Sequence, residues 1–399
     1  MKRSAFYIGL AFLLLVVSCG KKPHETQQYV VNMDSLFINL DEPKVAQRTD
    51  EVSTFFNGLA KSGFNGVVLY AEQGRVVYEN AYGYRKLTGR HRDSLRVDDA
   101  FQLSSDSKMF TAEAVMMLYA QGKLDYDDDV RKYIPELPYE GITIRNLLNH
   151  RSGLPRYDSM SDEFWPDRTK PFSNEEMIKM LADRKPERYA APDVTYFYNN
   201  INYALLASVV ERVSGQHFED FMHDNIFEPL GMDHSYIFSM RDDTAVSLYM
   251  NTPVQGHTMY RRGPEVMQND YLNGVMGDKI MFSTVDDLHK YLDALDNNML
   301  LPDSIQSVAF VPGSKAWKHD ENYGFGWRMS KNHPDVYYHY GWWKGYRSAI
   351  IRDVALNRQL ILLTNTTQNI SGEMLWAFLD DTTHQLPAVS FTTSLNPTP

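Results

Sequence analysis

The sequence predicts an α/β protein in which strands from both ends of the chain share one layer, with a helical region inserted between them. Three observations carry that prediction. β-rich segments gather near the start of the folded part and again near its end. Between them, from residue 105 to about 282, apolar residues recur at helical spacing rather than in alternation. At 399 residues the chain also exceeds what one hydrophobic core usually serves, so two subdomains are expected.

The chain opens with Lys2 and Arg3 ahead of an apolar run from Ala5 to Val17. That run is shorter than the ~20 residues a spanning helix needs. It reads as a secretory signal covering residues 1–18. Val16-Val17-Ser18-Cys19 is similar to a bacterial lipobox, which implies cleavage before Cys19 and lipidation of its thiol. Cys19 is the only cysteine, so the folded part holds no disulfide. A lipid-anchored protein of the bacterial cell envelope is expected, on the periplasmic or outer-membrane face. The two lysines after Gly20 leave the choice of face open. Residues 19–42 are polar and read as a tether. Loss of Lys2 and Arg3 takes the formal charge from −11 to −13. Such an acidic chain is not a nucleic-acid binder by bulk electrostatics.

The folded domain is expected over 43–385, its α/β layer drawn from about 43–104 and 283–385 and its helical region from 105–282. A tail follows over 386–399. Val45, Val52, Phe55, Phe56 and Leu59 mark a first helix ending at Lys61. GVVLYAE and RVVYENAYGY, joined by Gln73-Gly74, make a β-hairpin. The helix after Ser105 buries Phe110, Ala114, Val115 and Leu118 and ends near Gly122. Ser173 with Glu176 forms a capping box for a helix through Leu181. Ile201 to Ser214 is amphipathic and closed by Gly215. Phe218 to Phe227 is another helix, stopped by Pro229. Val285 to Leu295, capped by Ser283 or Thr284, leads back to the strands DVYYHY, YRSAIIR and RQLILLTNT. Met374 to Leu379 forms a closing helix.

The chemistry centres on Ser105-Asp106-Ser107-Lys108. On a helix, residues three apart share a face, so the Lys108 amine can reach the Ser105 hydroxyl. A serine is a poor nucleophile until a base takes its proton. Lys108 serves as that base only if burial or a nearby cation lowers its pKa. The pattern alone is unspecific, since Ser18 and Lys21 repeat it.

Context supplies the specificity. FQLSSDSKMFTAEAVMML, ITIRNLLNHRSGLP, TYFYNNINYALLASVVERVSG, YGFGW and HYGWWKGYRS follow one another in the order of known blocks. Over residues 45 to 380 the chain resembles the serine β-lactamase and penicillin-binding fold family, on the branch of class C β-lactamases, DD-peptidases and related esterases. The resemblance implies an antiparallel sheet flanked by helices with an inserted helical region. It implies Ser105 as acylated nucleophile, Lys108 as base or relay, and Tyr198 as the proton carrier to the leaving group. Asn200, closing Tyr198-Asn199-Asn200, would orient the substrate carbonyl. His339-Tyr340-Gly341 stands where relatives carry Lys-Thr-Gly or His-Thr-Gly. A strand there puts His339 and Gly341 on the cleft face and Tyr340 on the other. His339 would polarise the Tyr198–Lys108 network. The N–H groups of Ser105 and Trp342 would form the oxyanion hole.

The chain departs from its relatives at that strand. Tyr340 replaces a hydroxyl residue that often binds a free substrate carboxylate. Trp342 and Trp343 replace a small Gly-rich segment and would narrow or roof the cleft. Efficient β-lactamase activity is therefore disfavoured. Lys344 or Arg347 are candidates to restore carboxylate binding. Asp125 to Asp129 lack calcium-loop spacing, and His217, His223 and His234 read as surface histidines. His150 is expected to be buried and hydrogen-bonded. The reading is a serine hydrolase needing no metal or organic cofactor, acting as a D-amino-acid peptidase on cell-wall-like peptides. Esterase or amidase activity comes next, then β-lactamase. A non-catalytic sensor of β-lactams or muropeptides, or a structural lipoprotein with a relic site, are the readings from other classes.

Overall fold

The computed structural model describes residues 42–90, 92–238, 252–317, 321–367 and 372–381. The expected signal peptide, Cys19, nearly all of the tether and the tail 386–399 lie outside them.

Near the N-terminal end, α1 (Glu42–Lys61) precedes β1 (Gly66–Glu72) and β2 (Arg75–Tyr82). Gln73 and Gly74 both take positive φ, 56° and 71°, as a two-residue type I′ hairpin turn requires. Toward the other end run β8 (Glu321–Tyr323), β9 (Arg328–Ser330), β10 (Val336–Trp343), β11 (Tyr346–Asp353) and β12 (Arg358–Thr364). These seven strands form one sheet in the order β2-β1-β12-β11-β10-β9-β8. Every pairing is antiparallel, and β1 meets β12 with Val67 opposite Leu363 and Leu69 opposite Ile361. Strands from the two chain ends thus share one sheet, joined at the β1–β12 pairing, as the flanking β-rich segments predict.

Both faces of the centre are covered, which is why β1 and β12 are buried throughout and read as continuous apolar runs. Val68, Tyr70, Leu360 and Leu362 pack under α1 and the closing helix Gly372–Asp380. Arg48 of α1 donates to Glu72 Oε2 (2.9 Å) and Tyr70 Oη (3.0 Å), fixing that helix on β1. Val67, Leu69, Ile361 and Leu363 face the helical region on the other side. Full burial of one such side chain is worth roughly 1.5–3 kcal/mol.

In the helical region, α2 (Ser107–Ala120) packs on α6 (Asn200–Ser214), with α3 (Ile144–Leu148), α4 (Tyr157–Phe164) and α5 (Asn174–Arg184) between them in the chain. α2 is buried from Ser107 to Leu118, so it is the spine of this region rather than a surface helix. The Ser173–Glu176 capping box forms, and Gly215 closes α6 in the left-handed conformation. The region is not all helical. β3 (Phe101–Gln102) and β4 (Tyr236–Ile237) both pair with β7 (Met281–Ser283), and β5 (His257–Tyr260) pairs with β6 (Gly263–Val266). Strands of two to four residues leave no period to read. Pro229 does not stop its helix either. A π-turn over His223–Phe227 precedes it, Pro229 sits in the first turn that follows, and the chain ends the helix at Gly231. There a missing N–H costs nothing.

Candidate active site

The nucleophile turn is built where strand and helix meet. Leu103 N–H donates to Met281 O (2.8 Å), and a 3₁₀ turn over Ser104–Asp106 runs straight into α2. Ser104 holds φ at 53°, a conformation that costs a non-glycine residue about 1–3 kcal/mol and needs surrounding structure to impose it. β10 and β11 supply that structure. Ser348 Oγ donates to Leu103 O (2.9 Å), and Gly341 lies against the same turn. A Cβ on Gly341 would stand 2.2 Å from Leu103 O and 2.1 Å from Ser348 Oγ, so only glycine permits this approach. From Phe101 to Leu118, Ser105 alone is not buried. Its hydroxyl is the group the fold leaves reachable.

Lys108 is fully buried, with Nζ 3.2 Å from Ser105 Oγ and donating to the Asp278 carbonyl at 2.7 Å. Burial lowers its pKa from 10.5 to about 8, against the attraction of Asp278; Arg328 lowers it further and Asp106 raises it. An amine so placed can take a proton near neutral pH.

The Tyr198 ring lies 5.1 Å from Lys108 Nζ. Its hydroxyl is out of solvent and has no partner of hydrogen-bond geometry among the described residues, although Ser105 is close enough to lower its pKa. Burial dominates and raises the phenol, so it stays protonated and can donate. Asn199, the middle residue of the triplet, is the N-cap of α6 through Ile201 N–H (3.3 Å), and it donates to Leu154 O (2.8 Å). That cap sets Tyr198 and Asn200 on either side of it. Asn200 Oδ1 is buried without a hydrogen-bond partner among the described residues. His150 is buried as expected and accepts from Asn202 Nδ2 (2.9 Å) and Asn199 N–H (3.3 Å), bracing the same turn.

His339 is on the predicted face of β10 but does not meet Tyr198 or Lys108 by hydrogen bond. Nδ1 lies 3.0 Å from Asp106 Oδ1 and 3.1 Å from Tyr340 O, while Nε2 faces Tyr323 Oη at 3.0 Å. Two oxygens around Nδ1 make it the protonated nitrogen, with Tyr323 donating to Nε2. Burial raises Asp106 to about 7, so it titrates around neutral pH, and takes His339 well below 6.5, so the imidazole stays uncharged there. The expected polarising role gives way to a framing one, because both ring nitrogens are spent on Asp106 and Tyr323.

The departures at β10 resolve in the same way. Tyr340 points to the opposite face, beside Tyr338. With Arg347, Leu362 and Leu375 it lines a cavity of about 190 Å³ behind the sheet. Lys344 is paired with Asp270. Neither Lys344 nor Arg347 is therefore placed to bind a carboxylate beside Ser105. Trp342 is 56% exposed. Trp343 is half-buried, donates Nε1–H to Asn273 Oδ1 (2.8 Å), and its ring centre lies 5.1 Å from Lys279 Nζ.

Two groups escape the sequence reading. Arg328, directly after the YGFGW block, lays its guanidinium 4.9 Å from the Tyr198 ring centre. It donates to the exposed Glu321 carboxylate (3.3 Å), and its Nε is buried without a hydrogen-bond partner among the described residues. The cation adjoining that block was the available signal. Asp278 and Lys279, a buried ion pair (3.1 Å), lie in a loop without any pattern.

Comparison with known proteins follows the same lines. The profile of the Beta-lactamase family matches residues 52–383. Penicillin-binding protein 4* of Bacillus subtilis (strain 168) is 32% identical over 332 residues, covering 81% of this chain and 73% of that protein. A penicillin binding protein from Bacillus halodurans superposes with a TM-score of 0.70 at 21% identity, covering 82% of this chain and 98% of that one. The D-amino acid amidase of Ochrobactrum anthropi SV3, solved with D-phenylalanine, superposes at 0.65 with 21% identity, covering 79% and 91%. The chain belongs to the Beta-lactamase family of serine hydrolases and has the β-lactamase/transpeptidase fold.

Proposed function

We propose that this hydrolase works through a Ser105 acyl-enzyme and cleaves a D-amino-acid residue from peptides of the cell-wall type. Ser105 Oγ attacks the carbonyl carbon as its proton passes to Lys108. The Ser105 and Trp342 N–H groups receive the developing oxyanion, where losing one donor typically costs about 10²-fold or more. Collapse of the intermediate expels the amine, which takes its proton from Tyr198, restored from Lys108. Water then releases the acid. Asn200 orients the substrate carbonyl. His339 and Gly341 position the nucleophile turn, and Trp342 and Trp343 border the acyl or leaving group. We further propose anchoring at the bacterial cell envelope through a lipidated Cys19.

The observation that carries the peptidase reading is Arg328. A guanidinium offers five N–H donors, and a surface carboxylate such as Glu321 is a weak competitor. Arg328 lies over the proton donor Tyr198, where the leaving amino acid would sit. A terminal carboxylate there replaces the hydroxyl contact that Tyr340 has turned away. The likeness to a D-amino acid amidase is in keeping with a D-residue substrate.

Arg328→Gln is expected to lower kcat/KM on a peptide ending in a free D-alanine by about 10- to 100-fold, the worth of one charged hydrogen bond. The same peptide as its amide should be little affected. Paired assays on the two substrates decide it. Equal losses on both, or a wild type that prefers the amide or an ester, would move the assignment to the esterase/amidase alternative.

A further inference from the structure

The segment Gly277–Met281 is stitched to the nucleophile helix at successive turns. Gly277 O accepts from Thr111 Oγ1 (2.7 Å), Asp278 O from Lys108 Nζ (2.7 Å), and Met281 N–H donates to Ser107 Oγ (3.2 Å). The carbonyl that holds the candidate base therefore belongs to a residue whose side chain is a buried carboxylate. Lys279 closes over that carboxylate. Its Nζ lies 3.1 Å from both Asp278 oxygens and 2.5 Å from Tyr157 Oη, with the Trp343 ring on its other side at 5.1 Å. Tyr157 Oη in turn donates to Asp278 Oδ2 (2.7 Å). Asp278, Lys279 and Tyr157 are all buried. A buried pair of this kind often adds little net stability, because desolvation offsets the attraction.

We infer that Lys279 is a positioning residue for Lys108: it neutralises the Asp278 carboxylate, holding the Asp278 carbonyl on Nζ and freeing Lys108 to act as a base. The inference rests on the acyl-enzyme reading above. The other groups facing Lys108 do not do this work. Asp106 and Arg328 act on it with opposite signs, and Tyr198, Tyr203, His150 and His339 are uncharged at neutral pH. Asp278 is the largest influence that keeps Lys108 protonated, and burial is the larger opposing one. Lys279 and Lys108 also repel one another.

The signs are definite. Lys279→Met removes the repulsion and leaves Lys108 as the ammonium beside the Asp278 carboxylate, so Lys108 keeps its proton to higher pH. Asp278→Asn removes the attraction and retains the repulsion, so Lys108 loses its proton at lower pH. The double variant loses both and returns toward the wild type. The test is the pH profile of Ser105 acylation by an activated ester, read by intact mass for all four proteins, with Ser105→Ala as the blank. The acid limb should move up by on the order of one pH unit in Lys279→Met, down in Asp278→Asn, and back in the double variant. Should Lys279→Met fail to fold, the downward shift in Asp278→Asn and the profile of the double variant still decide the matter. A labelled wild type with an unmoved limb in the variants, or losses equal at every pH, would overturn the inference alone. A wild type that is never labelled would overturn the acyl-enzyme reading and this inference with it.

Discussion

Lys108→Met lowers kcat/KM by about 10²- to 10⁴-fold, the usual contribution of a positioned base, and removes the acid limb of the pH profile. With Lys108 lowered to about 8 by burial, that limb is expected near 8 in the wild type, leaving about a tenth of the enzyme with Lys108 as free base at pH 7. Stability should respond differently. The folded pKa of about 8 is below the usual 10.5, so the cost of holding the amine is fully present below pH 8 and vanishes as pH rises beyond 10.5. Methionine removes that cost. The Asp278 carbonyl left without its donor offsets it by about 1–3 kcal/mol. Tm at pH 7 is therefore expected to hold or rise while activity collapses. Assay and melt on one preparation separate the cases, since a joint fall of Tm and activity would make Lys108 a structural residue.

Gly341→Ala is the second large effect. Its Cβ would stand 2.2 Å from Leu103 O, with Ser348 Oγ at 2.1 Å on the other side, so either β10 or the nucleophile turn has to move. A displacement near 1 Å costs about 100-fold in rate, and overpacking adds roughly 1–3 kcal/mol of lost stability. The expected result is an intact fold with lowered Tm and kcat/KM down about 100-fold. An alanine variant with wild-type kcat/KM would show that the close contact of strand and turn does not set the Ser105 geometry.

What was legible in the chain followed from period and punctuation. β1 and β12 announce themselves as apolar runs, Gln73-Gly74 as a turn, Ser173–Glu176 as a cap and Gly215 as a stop. The approach of Ser105 and Lys108 follows from helical spacing, although a 3₁₀ turn and not an α-helix carries Ser105. The remainder depends on contacts distant in sequence. Lys108 meets the Asp278 carbonyl across 170 positions, and His339 meets Asp106 across 233. Strand alternation placed His339 on the correct face, but its partners depend on the rotation of a buried ring. Pro229 misled because a π-turn ahead of it changed which N–H groups the helix needs. Trp343 could be placed only once Asn273 was seen to hold its indole.

The most direct test of the central claim is a time-resolved intact-mass measurement on residues 20–399. The protein is mixed with an activated ester of an acylated D-alanine, quenched in acid and digested for peptide mapping. The account predicts one acyl group per chain, formed within the first turnover, located on the peptide bearing Ser105 and absent from Ser105→Ala. Turnover that persists in Ser105→Ala, or an acyl group carried by another residue, would contradict it.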